Sequence, residues 1–279
     1  MNRRFLTPLL LGLAGLAMMG NARAQGACGV TWPCTDPRGC PDFHIAAADM
    51  TAYTTIYDGI YSFSATDCPY LNGWVSGTGP RQLLVFSTRI VNWGPGAFQI
   101  GSRFDNPDFF TANTCHDHYH IKDMVIYRLW TVEGYQRWSA ARAANPDACG
   151  DDVMGADPSL ASGLIVGGGK LGFCMTDFSK ISKKRDGYSC PSKHIDHETY
   201  FDCDTQGQGV CHAETYPPGV MGQWLDVTDG LMPDGDYVLE NEVNPLHRYA
   251  EADLMNNSTA ILIRRIGITI TPLAILAGP

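Results

Sequence analysis

Beyond residue 24, this 279-residue chain has no apolar run approaching the roughly 20 residues that a membrane-crossing helix needs, so no span is expected there. Paired CxxC cysteines are also missing, which removes a zinc ribbon, and there is no internal repeat or low-complexity run. Basic residues are in short supply. Twenty Lys and Arg face 29 Asp and Glu, a formal charge of -9 that disfavours a nucleic-acid partner. Gly167-Gly168-Gly169-Lys170 lacks the Ser or Thr that a phosphate-binding loop carries after its lysine, so that fragment is not read as a nucleotide site.

The first 24 residues have a different character. Arg3 and Arg4 precede an apolar stretch from Leu9 to Met19 and then Ala22-Arg23-Ala24, the small-x-small form of a signal-peptidase site. Residues 1–24 are therefore read as a signal peptide, and the paired arginines as its basic start rather than a twin-arginine signal. Cleavage removes three arginines and no acid, which takes the charge from -9 to -12. An acidic protein of this kind attracts cationic partners such as amines or lysine-rich proteins. All 10 cysteines lie beyond residue 24, and an even count in an exported chain predicts disulfides and a periplasmic or extracellular location.

Segments Gln82–Trp93, Met124–Val132, Gly163–Phe178, Gln223–Asp229, Asp236–Asn244 and Thr259–Ile270 are short, rich in Val, Ile, Tyr and Trp, and separated by Gly, Pro, Asn and Asp. They predict strands. Pro233-Asp234-Gly235-Asp236 predicts a turn into one of them, and only Ser139–Ala144 reads as a short helix. The expected fold class is all-β, a β-sandwich with long disulfide-pinned loops and little helix. Residues 25–79 are expected to form a Cys- and Pro-rich extension with the first strands, and residues 80–270 the functional domain.

Cys115-His116-Asp117-His118-Tyr119-His120 holds three of the chain's 8 histidines in five positions. In a strand, alternate side chains share a face, so His116, His118 and His120 would gather on one side. Three imidazoles without a thiolate suit Cu(II) or Zn(II). A straight strand would separate His116 from His120 by roughly 13 Å, so the segment must bend or the outer pair must sit trans, which favours tetragonal copper. Cys115 would face away and act as an anchor, not a ligand.

Read together with four other pieces, this segment resembles the catalytic domain of the lysyl oxidase family. Leu84-Val85-Phe86-Ser87-Thr88-Arg89-Ile90-Val91-Asn92-Trp93-Gly94 is similar to the strand and turn ahead of that family's copper motif. Cys115 to His120, with Asp123 following, resembles its Cys-His-x-His-Tyr-His. Lys170, four residues before Cys174, matches Lys-x-x-Phe-Cys, and Tyr216 stands eight residues before Trp224 of Gln223-Trp224-Leu225-Asp226-Val227-Thr228-Asp229. Asn244-Pro245, Glu251-x-Asp253 and Asn256-Asn257 resemble its late Asn-Pro…Glu-x-Asp-x-x-Asn-Asn pattern. Order and spacing carry the match over residues 80–265.

The resemblance implies copper on His116, His118 and His120, and a lysine tyrosylquinone cofactor formed from Lys170 and Tyr216. It implies oxidation of primary amines, either peptidyl lysine or small amines, by dioxygen to an aldehyde, with release of hydrogen peroxide and ammonia. It also implies a Cys115–Cys203 disulfide, with Cys174–Cys190 as a second proposal. The chain departs from the family pattern in places. Met124-Val125-Ile126-Tyr127, just after Asp123, holds no histidine where the family has one, which leaves Asp123, His197 and Asp253 as open alternatives for a catalytic base. Gly222 stands where the family has the cysteine that would pair with Cys211. The segment between Cys174 and Cys190 is longer than the family's and carries Lys180, Lys183, Lys184 and Arg185. The rival expectations are an exported copper-binding protein of the same fold without quinone or oxidase activity, and a structural zinc site.

Overall fold

A computed structural model of the chain describes residues 28–111, 118–168, 174–181 and 201–277. Two sheets carry most of the architecture. The larger has five antiparallel strands in the order Thr269–Ala277, Ser258–Ile266, Gly235–Val243, Val125–Thr131 and Leu164–Gly168. The smaller has four, in the order Phe43–Ile45, Thr88–Asn92, His212–Tyr216 and Ser179–Lys180. A three-stranded sheet of Trp224–Asp226, Gly79–Val85 and Thr55–Phe63 stands beside them.

Alternation explains how the large sheet is covered. Val125, Tyr127 and Leu129 share a face with Tyr237, Leu239 and Val243 and with Ile261 and Ile263, and all of these enter the main core with Ile90 and Tyr216 of the four-stranded sheet. The opposite face offers Trp130, Val238 and Ala260, which pack beneath Tyr135 and Trp138 of the helix Val132–Ala144. The molecule is therefore all-β with a helical layer on the outer face of its largest sheet. That outer face also buries charge. Arg128 donates to Glu242 at 2.6 Å and to Glu240 at 3.3 Å, and the indole N–H groups of Trp130 and Trp138 donate to Glu240 at 2.9 and 3.0 Å.

The helix is longer than the Ser139–Ala144 expected. It begins where Thr131 accepts a hydrogen bond from the Gly134 N–H at 3.0 Å, so an N-cap inside an apparently strand-like stretch starts it. Gly134 is required there, because a Cβ would come within 2.4 Å of the Gly163 Cα. The expected strand Gln82–Trp93 is two strands in different sheets, ending at Val85 and restarting at Thr88. Thr259–Ile270 likewise divides, since Gly267 at φ 60° turns the chain back into a final edge strand. Among the described residues of Gly163–Phe178, Leu164–Gly168 is a strand and residues 174–178 are irregular.

The early residues lie along the body. The Gly29 and Trp32 N–H groups donate to Leu246 and Arg248 carbonyls, each at 3.0 Å, and disulfides join Cys28 to Cys149 and Cys34 to Cys40. A third joins Cys174 to Cys203. That bond overturns both expected pairings, Cys115–Cys203 and Cys174–Cys190, since each claims a cysteine already bonded elsewhere. Cys68 and Cys211 are also disulfide-bonded, and no cysteine among the described residues is free. Among those residues no helix is long and apolar enough to cross a membrane. The expected signal peptide, residues 1–24, lies outside them.

Candidate functional site

The histidine segment is held as a short strand with a bend in front of it. His120–Ile121 pairs with Phe110–Thr111, whereas His118 sits in the bend, so the three-residue alternation expected of a strand does not extend back to it. The bend brings the rings together. The Nε2 atoms of His118 and His120 lie 2.9 Å apart, with ring centroids at 4.8 Å, and His120 is only 2% exposed. Two imidazole nitrogen donors converging at the edge of a core fit a Cu(II) or Zn(II) ion, which would separate and order them. His116 lies outside the described residues, as do Cys115, Lys170 and His197.

Tyr119, between the two histidines, is fixed at both ends. The Arg103 guanidinium lies 3.6 Å from its ring centroid, and its carbonyl accepts a 2.7 Å hydrogen bond from Gln206 Nε2. Gln206 is fully buried and bridges further. Its Nε2 also donates to the Cys203 carbonyl at 2.9 Å, and its Oε1 accepts from the Met175 N–H at 3.0 Å. One side chain thus ties the histidine segment to both halves of the Cys174–Cys203 bridge.

Tyr216 meets the same bridge from the other side. Its hydroxyl donates to the Cys174 carbonyl at 2.5 Å, and its strand position is opposite Thr88. Burial, with the nearby Glu214 charge adding to it, holds the phenol's pKa well above its usual value, so the group stays protonated. Thr88 accepts from Gln223 Nε2 at 2.7 Å and from Asn241 Nδ2 at 3.0 Å, while the Tyr127 hydroxyl donates to Gln223 Oε1 at 2.9 Å. Gln223 of the quoted Gln-Trp pattern is therefore a strut behind the tyrosine. Trp224 donates to the Trp74 carbonyl at 3.1 Å, and Asp226 receives Arg81 at 2.7 Å.

Sequence reading passed over one acid that the fold places beside Tyr216. Glu214 lies two residues earlier on the strand, hence on the same face, and accepts the hydroxyl proton of Thr176. Burial pushes its carboxyl up to about 7. The i, i+2 spacing was visible in the sequence, although the strand that gives it meaning was not among those expected. Two of the named base alternatives make other contacts. Asp123, at φ 50°, faces Arg248 at 3.3 Å, and exposed Asp253 accepts from the Met255 N–H at 2.7 Å.

The late Asn-Pro pattern is a buried clamp. Glu251 accepts from the Phe43 N–H at 2.7 Å, from Asn244 Nδ2 at 2.6 Å and from Asn257 Nδ2 at 2.8 Å, and burial raises its carboxyl to about 8. Asn244 also donates to the Tyr249 carbonyl at 2.7 Å, and the Tyr249 hydroxyl reaches the Lys122 carbonyl at 2.8 Å. The clamp thereby supports the chain two residues beyond His120.

A profile of the lysyl oxidase family matches residues 160–271, a stretch that includes Lys170, Tyr216 and Glu251 and begins after the histidines. The proteins named Lysyl oxidase homolog 4 of Homo sapiens and Mus musculus are each 27% identical over 180 residues, 64% of this chain. Lysyl oxidase homolog 2B of Danio rerio is 26% identical over 179 residues. The chain spans only 18% of the length of each of these relatives.

Proposed function

We propose that this chain, a member of the lysyl oxidase family, is an exported copper-dependent amine oxidase that converts primary amines, peptidyl lysine among them, to aldehydes with release of hydrogen peroxide and ammonia. His116, His118 and His120 hold the copper, and Lys170 and Tyr216 are the precursors of a lysine tyrosylquinone. The observation that carries the reading is the Gln206 bridge, which links the carbonyl between two converging histidines to the cystine whose carbonyl receives the Tyr216 hydroxyl.

Copper and dioxygen supply the oxidation that turns a tyrosine ring into an ortho-quinone, the electron sink for the amine. The protein's own residues set the stage. The Cys174 carbonyl orients the Tyr216 hydroxyl, Gln223 and Thr88 back the strand, and burial keeps water from the ring. Gly167 and Gly168 pair with Arg128 and Tyr127 of the neighbouring strand and carry no side chain of their own. Residues 1–24 direct export and residues 80–270 form the catalytic domain.

Peptide mapping tests the reading. Protein matured with copper and air is expected to yield a covalently joined Lys170 and Tyr216 pair, missing from protein made without copper. Separate Lys170 and Tyr216 peptides in the copper-matured sample would leave only the copper-binding alternative. Metal analysis tests the ligand set independently. His118→Ala is expected to lose most of its copper, about one ion per wild-type chain, and full occupancy in the variant would remove His118 from the site.

A further inference from the structure

We propose that Glu214 is the proton acceptor of the amine oxidation, taking the proton released from the amine's α-carbon at Tyr216. The inference rests on the oxidase reading above. Glu214 and Tyr216 alternate on one strand, so their side chains leave the same face about 6.6 Å apart, a separation in which a small carbon centre fits between them. Both are buried and both are covered by one segment. Cys174 holds the Tyr216 hydroxyl and Thr176 holds the Glu214 carboxylate, so cofactor ring and base would be oriented by the same stretch of chain.

The surrounding groups narrow the choice. Asp177 accepts the Gly209 N–H at 2.5 Å and lies 4.0 Å from His212 Nδ1, and His212 occupies the next position along the face. Lys180 pairs with His212 at the outer end of the strand, and Tyr127 approaches Tyr216 from the large sheet. Among the described residues, Glu214 is the carboxylate whose charge acts on the Tyr216 phenol. A carboxylate that gains its proton near pH 7 is matched to proton abstraction at neutral pH. With the amine condensed on a quinone carbonyl and one water released, the α C–H bond would break, the proton passing to a Glu214 oxygen and the electron pair moving through the C=N bond into the ring, which is reduced by two electrons and left with an imine that water cleaves to the aldehyde.

Wild type, Glu214→Gln and Glu214→Asp, each matured with copper, are compared in two measurements. Phenylhydrazine titration counts reactive quinone without turnover, and similar titres are expected in all three. Anaerobic mixing with benzylamine then follows bleaching of the visible band. The Gln variant is expected to bleach about 10²- to 10⁴-fold more slowly, with no rise across pH 7. Wild type is expected to speed up as pH rises through about 7, and the Asp variant to recover part of the rate together with a rising limb. Wild-type bleaching rates or a retained limb in Glu214→Gln would overturn the assignment. A Gln variant without a hydrazine titre, beside a wild type with one, would move Glu214 to cofactor formation and overturn it equally. No titre in wild type would instead defeat the oxidase reading, and this inference with it.

Discussion

Tyr216→Phe protein matured with copper and air is expected to release no hydrogen peroxide from a primary amine above the uncatalysed background, while its copper content stays within a factor of about two of wild type. The substitution removes a single oxygen. On the proposed reading that oxygen is where oxidation of the ring begins and is not a copper ligand, so metal content and activity are expected to separate. Its loss leaves the buried Cys174 carbonyl without its 2.5 Å donor, an effect of about 1–3 kcal/mol on stability. Unfolding must therefore be measured beside activity, to show that the variant is folded when it fails to turn over. Lys170→Ala is expected to be equally inactive with copper retained. A peroxidase-coupled assay with metal analysis on the same samples decides the matter, and residual amine oxidation by Tyr216→Phe would exclude the quinone reading.

The largest effect on stability is expected from Glu251→Ala. Three donors converge on that carboxylate from separate parts of the chain: the Phe43 N–H, Asn244 and Asn257. Truncation strands all three in the interior, where each unpaired donor costs about 1–3 kcal/mol, so a loss on the order of 3–5 kcal/mol is expected. Asp253→Ala, two residues away at an exposed site with one hydrogen bond to Met255, serves as the control and should shift stability by less than about 1 kcal/mol. Urea unfolding of copper-free, disulfide-intact protein measures both. Equal midpoints for the two variants would show that Glu251 is not a clamp.

The all-β character was legible because β-branched and aromatic residues mark strands whichever sheet they join. The breaks within them were harder to see. Nothing local to Phe86 and Ser87 announces that the chain leaves one sheet for another, and Met124–Val132 reads as strand to its end until Thr131 is recognised as a cap and Gly134 as the seat for Gly163. The same limit applies to the site. His118 and His120 stand out by residue type, and Tyr216 by its spacing from Trp224. Gln206 does not, because its importance lies in three backbone partners at positions 119, 175 and 203, which only the fold assembles. Disulfide partners have the same dependence on tertiary placement. Family resemblance paired Cys203 with Cys115, and the structure joins it to Cys174.

That cystine bears on biosynthesis as well as geometry. Cys174 and Cys203 stand 29 residues apart, and bonding them removes about 3–4 kcal/mol of freedom from the open chain. With the thiols still reduced, the carbonyl that steadies Tyr216 and the strand that carries Gln206 are without their covalent cross-link. Copper arriving then would meet its histidines with the tyrosine unplaced, ready for oxidative damage rather than for orderly cross-linking. On the oxidase reading the timetable matters, and thiol oxidation is expected to come first and metal second. On that reading, a host that exports the chain is expected to need its disulfide-forming machinery upstream of its copper supply.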